Sequence, residues 1–101
     1  MTNERLIKQW KTIEIQLVQA ASFLLEPKYF KLEQKELKDY EEYLRVNELE
    51  LAMIELESIA YEHGAKSGFW RRLQKAAKNM ELTTKVEEYE IAFHKALAKK
   101  V

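Results

Sequence analysis

Two histidines, His63 and His94, and an abundance of carboxylates are the groups through which this chain can do acid–base or metal chemistry. Glu90 and His94 stand four apart, a spacing that puts both on one face of a helix. A di-iron bundle needs two Glu-x-x-His units with further inward carboxylates, and a zinc peptidase needs His-Glu-x-x-His. Neither pattern occurs. The chain has no cysteine, so thiolate zinc sites and disulfides drop out. Nucleophilic catalysis needs a hydroxyl or thiol activated by a base that is itself oriented by a third group. The aliphatic hydroxyls are Thr2, Thr12, Ser22, Ser58, Ser67, Thr83 and Thr84, and several of them read as helix caps. No glycine-rich phosphate loop is present. The expectation is a protein that is not an enzyme and holds no cofactor or metal.

Charge offers a different kind of chemistry. Seventeen bases balance seventeen acids, but they are unevenly placed. Residues 26–62 hold eleven acids against five bases, while residues 63–101 hold nine bases against four acids. In the basic part, Arg71, Lys75 and Lys78 follow at steps of four and three, with Arg72 beside them. Two arginines in the first turn of a helix oppose its dipole, which marks either a solvated basic face or a contact with an anion or partner. A nucleic-acid binder wants a positive domain, and the net charge here is zero, so nucleic acid is not the expected partner. In the acidic part, Glu33, Glu36, Asp39, Glu41 and Glu42 crowd one segment, and Glu48, Glu50, Glu55 and Glu57 the next. Such a belt steers a cationic partner. Tyr40 and Tyr43 adjoin it, and at three residues apart they cannot both point fully inward, so one is an expected interface anchor. The candidate partner-binding residues are therefore Glu33, Glu36, Asp39, Tyr40, Glu42, Tyr43 and Glu50.

The elements that must position these groups are helices. The length of 101 residues suits one domain, residues 1–101, and two glycines and one proline leave little punctuation for hairpins. Apolar residues recurring at steps of three and four predict five helices. The first spans about 4–25 along Leu6, Trp10, Ile13, Leu17 and Leu24, and the second about 33–45 along Leu37, Tyr40 and Leu44. Asn47 with Glu50 resembles a capping box opening a third helix to about residue 63. Ser67 is the expected cap of a fourth helix to about residue 80, and Thr84 with Glu87 forms a second box opening the fifth. Short connections favour antiparallel neighbours, so the expected fold is all-α, a compact five-helix bundle. Glu4, Lys8, Lys11 and Glu14 interrupt the first apolar stretch, so no signal peptide is read. No apolar run approaches membrane-spanning length. No membrane partner is expected, and the default location is cytoplasmic.

Residues 37–82 resemble the small helical immunity proteins of bacterial polymorphic toxin systems, of the Maf-type immunity family. The resemblance rests on Tyr43-Leu44, Glu48, Ala52, Leu56 and Met80-Glu81-Leu82. It leaves the first and fifth helices unaccounted for, and its shared positions read as core, so no functional residue transfers with it. What it implies is a cytoplasmic antidote that binds a cognate protein toxin domain and occludes its active site. A basic toxin of the nuclease kind suits the acidic belt. The alternative is a helical adaptor or oligomerisation module for another protein partner. Trp10, Ile7 and Val18 exceed what one buried face needs, which suits a homodimer.

Overall fold

Apolar residues at helical spacing become buried stripes in the computed structural model of the chain, which describes residues 2–25 and 34–99. The order is α1 (Thr2–Ser22), continued by a 3-10 turn Phe23–Leu25, then α2 (Gln34–Arg45), α3 (Leu49–His63), α4 (Ser67–Asn79) and α5 (Thr83–Ala98). The described residues contain no strand. The fold is the expected all-α bundle of five helices.

α4 is the central helix. It packs most extensively against α5 on one side and α1 on the other, while α2 and α3 form a hairpin whose α3 also meets α1 and α4. Each helix sends its stripe to one core. Leu17 of α1, Leu24 of the turn that continues it, Met53 and Leu56 of α3, Phe69 and Leu73 of α4 and Tyr89 of α5 are fully buried. Burying an aliphatic side chain of this size contributes roughly 1.5–3 kcal/mol. Alanines let the backbones approach: Ala20, Ala52, Ala76 and Ala77 are buried where helices cross. Gly68 serves the same end, since a Cβ there would stand 2.6 Å from Cζ of Phe23. Among the described residues no helix is long and apolar enough to cross a membrane.

The expected side-chain caps are replaced by backbone corners. α2 ends in a Schellman motif: Glu48 N–H donates to the Tyr43 carbonyl at 2.8 Å and Asn47 N–H to that of Leu44 at 3.2 Å. Asn47 is thus the left-handed C′ residue, at φ 64°, and cannot also cap α3. Glu48 opens α3 with its own carbonyl, which accepts from Ala52 N–H at 3.0 Å. The α4–α5 corner repeats this. Leu82 N–H donates to Ala77 and Glu81 N–H to Lys78, with Glu81 at φ 59°. The Leu82 carbonyl then starts α5, so Thr84 lies inside the helix and makes no cap. Ser67 is likewise the first residue of α4, after Lys66, and no side chain caps that end. In the two Schellman corners the last turn of the outgoing helix accepts the N–H groups of the corner residues themselves.

Candidate protein-binding surfaces

The acidic residues singled out from the sequence fall into separate places. Tyr40 turns into the core and is 5% exposed. Burial, with Glu41 and Glu14 nearby, pushes its phenol up to about 12. Its ring is therefore a core member, and the expectation that it anchors a partner is corrected: the inner stripe of α2 needs it beside Leu37 and Leu44. Asp39, Glu42 and Tyr43 share the outer flank of α2, three and four residues apart, with Tyr43 half-buried at its edge. Glu42 is already held by Arg45, whose guanidinium donates to its two oxygens at 2.6 and 3.2 Å. That hydrogen bond and charge keep the Glu42 carboxyl below its usual range. Glu50 lies elsewhere, at the corner between α2 and α3. Glu33 and the side chain of Glu36 lie outside the described residues.

α3 is the more one-sided helix. It carries Glu50, Glu55, Glu57 and Glu62 and no lysine or arginine. Glu57 is engaged internally. Its Oε1 accepts from the buried Tyr89 hydroxyl at 2.6 Å and from Lys85 Nζ at 2.9 Å, tying α5 to α3. The hydrogen bond to Glu57 raises the Lys85 ammonium. Burial first, and then the Glu57 hydrogen bond and charge, push the Tyr89 phenol well above its ordinary range. Tyr61, Phe69 and Tyr89 surround Trp70 with ring centroids 5.0 to 5.8 Å away, so this corner is a structural staple. Away from the core, α3 presents Leu51, Ser58, Tyr61 and Glu62 with the half-buried Ile54 and Glu55. No ion pair among the described residues engages Glu55 or Glu62.

The basic face of α4 is partly answered from within. Arg71 donates to Glu90 at 3.0 Å and to Gln74 at 2.5 Å, and its guanidinium lies 3.6 Å above the Phe93 ring. Gln74 donates in turn to the Val86 carbonyl at 3.1 Å. Desolvation pushes the Glu90 carboxyl up, but the Arg71 hydrogen bond and charge, with Gln74 and His94, outweigh it and hold the group below its usual range. The dipole conflict of Arg71 is thus offset by an internal carboxylate and ring, leaving Arg72, Lys75 and Lys78 on that face. His94 stands 3.8 Å from Glu90. Among the described residues no three histidine or acidic side chains gather as a metal site.

A fourth place was not legible as a site. The core-facing stripe of α1 loses its cover towards the N-terminus: Leu17 and Ile13 are buried, but Leu6 and Trp10, on the same line, are each 43% exposed. The two Schellman corners reach only as far as Ile13. Between them and the overhanging turns lies an open groove of about 490 Å³, with Leu6 and Trp10 along one side and Asn47, Glu50 and Glu81 along the other. Its walls are tied together. Gln9 donates to the Asn79 carbonyl at 2.7 Å, and the Asn79 amide donates to Gln16 at 2.8 Å. Asn47 and Glu81, the two described non-glycine residues with positive φ, both face it. Sequence periodicity cannot show where one helix outruns its neighbours.

No family model matches the chain, and neither a curated protein nor a solved structure does.

Proposed function

We propose that the chain is an antidote of the immunity type, which neutralises a basic protein toxin domain by docking the α2–α3 hairpin over its active site. The observation that carries this reading is the hairpin's outer surface. Asp39 on α2 and Glu55 and Glu62 on α3 have no ion-pair partner among the described residues. Tyr43, Leu51 and Tyr61 stand among them as partly or well exposed apolar groups. Acids interleaved with aromatic and aliphatic anchors suit a cationic protein surface better than a small ligand. The resemblance over residues 37–82 adds the partner class, and the reading places the complex in the cytoplasm.

The test has two parts. The gene immediately upstream should encode a large secreted effector, and its C-terminal domain should bind this chain with an affinity that falls as salt rises. Asp39→Lys with Glu55→Lys as one pair, and Glu55→Lys with Glu62→Lys as a second, should weaken binding by about tenfold or more per pair and flatten the salt dependence. Unchanged affinity and slope in both pairs removes the hairpin from the interface, and a neighbour of another kind removes the antidote reading. The alternative, an adaptor or oligomerisation module, has its own supporting feature in the uncovered start of α1.

A further inference from the structure

The last turns of α5 send their small side chains inward. Ala92 is buried and Ala96 half-buried, whereas Ile91 and Leu97 point outward at 58% and 43% exposure. A helix that buries alanines while larger apolar residues stand outside leaves room beside its core face. Here the room is a pocket. α3 and α5 are joined where Glu57 accepts from Tyr89 and Lys85. A turn further along α5, between its end and the end of α3, lies a recess of about 170 Å³. Ala60, Ala92 and Ala96 line it with methyl groups. The buried Trp70 and the exposed Tyr61, ring centroids 5.0 Å apart, complete its apolar wall. A cavity of about 150 Å³ lined by apolar side chains accepts a benzene ring.

The mouth is charged with one sign. Lys95 and Lys99 are the charged residues that line the pocket among the described residues, and no carboxylate does. Both are exposed, and they stand four apart on the face of α5 that carries Ala92 and Ala96. Neither forms an ion pair with a described residue. The helix dipole is served by a lysine anywhere around the last turn. It does not ask for two of them beside one recess.

We propose that this pocket binds a small aromatic carboxylate. The ring enters against the alanines and the Trp70 and Tyr61 rings, and the acid group stays at the mouth with the Lys95 and Lys99 ammonium groups. Apolar walls supply the burial and the two cations fix the orientation. The proposal does not rest on the antidote reading, and no toxin is needed to test it.

Amide NMR of the full chain titrated with phenylacetate to about 10 mM is the experiment, since a ligand with one ring binds with a dissociation constant of about 0.1–1 mM. Saturable shifts are expected at the Trp70 indole N–H and at the amides of Ala65, Ala92 and Ala96. Phenylacetamide, with the same shape and no charge, should bind at least about tenfold more weakly. Lys95→Gln with Lys99→Gln should weaken phenylacetate by about tenfold and leave phenylacetamide unchanged, which separates lost charge from a damaged pocket. Ala96→Leu should fill the recess and remove the shifts while the helical circular dichroism stays intact; should that variant not fold, the lysine pair decides. No saturable shift, equal affinity for acid and amide, or shifts at the two lysines without Trp70 each overturns the proposal. So does an acetylated tripeptide ending in phenylalanine that binds at least about tenfold more tightly than phenylacetate, which would give the pocket to the chain end of a protein partner.

Discussion

Removing one oxygen atom tests the staple between α3 and α5. In Tyr89→Phe the buried ring keeps its place beside Trp70, and only the hydroxyl that donates to Glu57 at 2.6 Å is lost. A hydrogen bond to a charged group contributes about 1.5–3 kcal/mol. Glu57 retains Lys85 at 2.9 Å, so the lower part of that range applies, about 1.5–2 kcal/mol at pH 7. With unfolding entropies of about 2.1 cal/mol/K per residue, this lowers Tm by roughly 7–10 °C. The pH dependence gives an independent check. The Tyr89 phenol is raised in the fold, so above pH 10 the unfolded chain releases a proton that the folded chain keeps. Stability then falls as pH rises, by about 1.4 kcal/mol per unit for this one group. The variant lacks that loss, while Tyr40 and Lys85 titrate in both proteins and cancel. Wild type and variant should therefore converge, with a penalty of well under about 1 kcal/mol by pH 11. Urea unfolding followed by circular dichroism at pH 7 and 11 measures both quantities. A penalty below about 0.5 kcal/mol at pH 7, or curves that stay parallel to pH 11, would refute the hydrogen bond as the link between these helices.

Two backbone positions give simpler outcomes. Glu81→Gly relieves a left-handed conformation that costs an L-residue roughly 1–2 kcal/mol and adds back part of that as unfolded-chain entropy. Thermal melts at low protein concentration should show Tm higher by about 2–5 °C; a fall would mean that the Glu81 carboxylate stabilises the monomer. Gly64 sits at φ 82° and ψ 156°, a region that is essentially glycine's alone. A Cβ there meets nothing within 4 Å, so Gly64→Ala should cost about 1–3 kcal/mol through the backbone alone, and an unchanged denaturation midpoint would contradict the α3–α4 corner as described.

Periodicity carried most of the fold because core positions follow from a local rule. Leu17, Leu56, Leu73 and the rest are buried where steps of three and four put them. Helix ends were less legible. Asn47 and Glu50 look like a capping box, yet the same asparagine is equally suited to the left-handed C′ position of the preceding helix. When a corner is only three residues wide, the outgoing helix claims it first. Glu81 could not be found this way at all, since glutamate carries no sequence signal for positive φ. Tyr40 and Tyr43 show the converse. That both could not be buried was correct in sense, but which one turned inward depends on where α3 packs, a tertiary fact.

Charge was the most misleading guide to the surface, and the reason is physical. A count over residues 26–62 treats every carboxylate as equally available. In the fold, Glu57 is committed to Tyr89 and Lys85, and Glu42 to Arg45. Across the bundle, Arg71 is committed to Glu90 and Phe93. Each pairing joins or stiffens helices and withdraws a charge from the field a partner would feel. What remains is spatially sorted in a way no linear segment reveals: Asp39, Glu55 and Glu62 on the hairpin, and Glu50 and Glu81 along the groove beside the start of α1. The hairpin set shares α2 with the exposed Lys38 and Arg45, of which Arg45 is already engaged by Glu42. No lysine or arginine is among the described residues that line the groove, so position around a helix, and not a count of charges along the chain, decides which carboxylates a partner would meet.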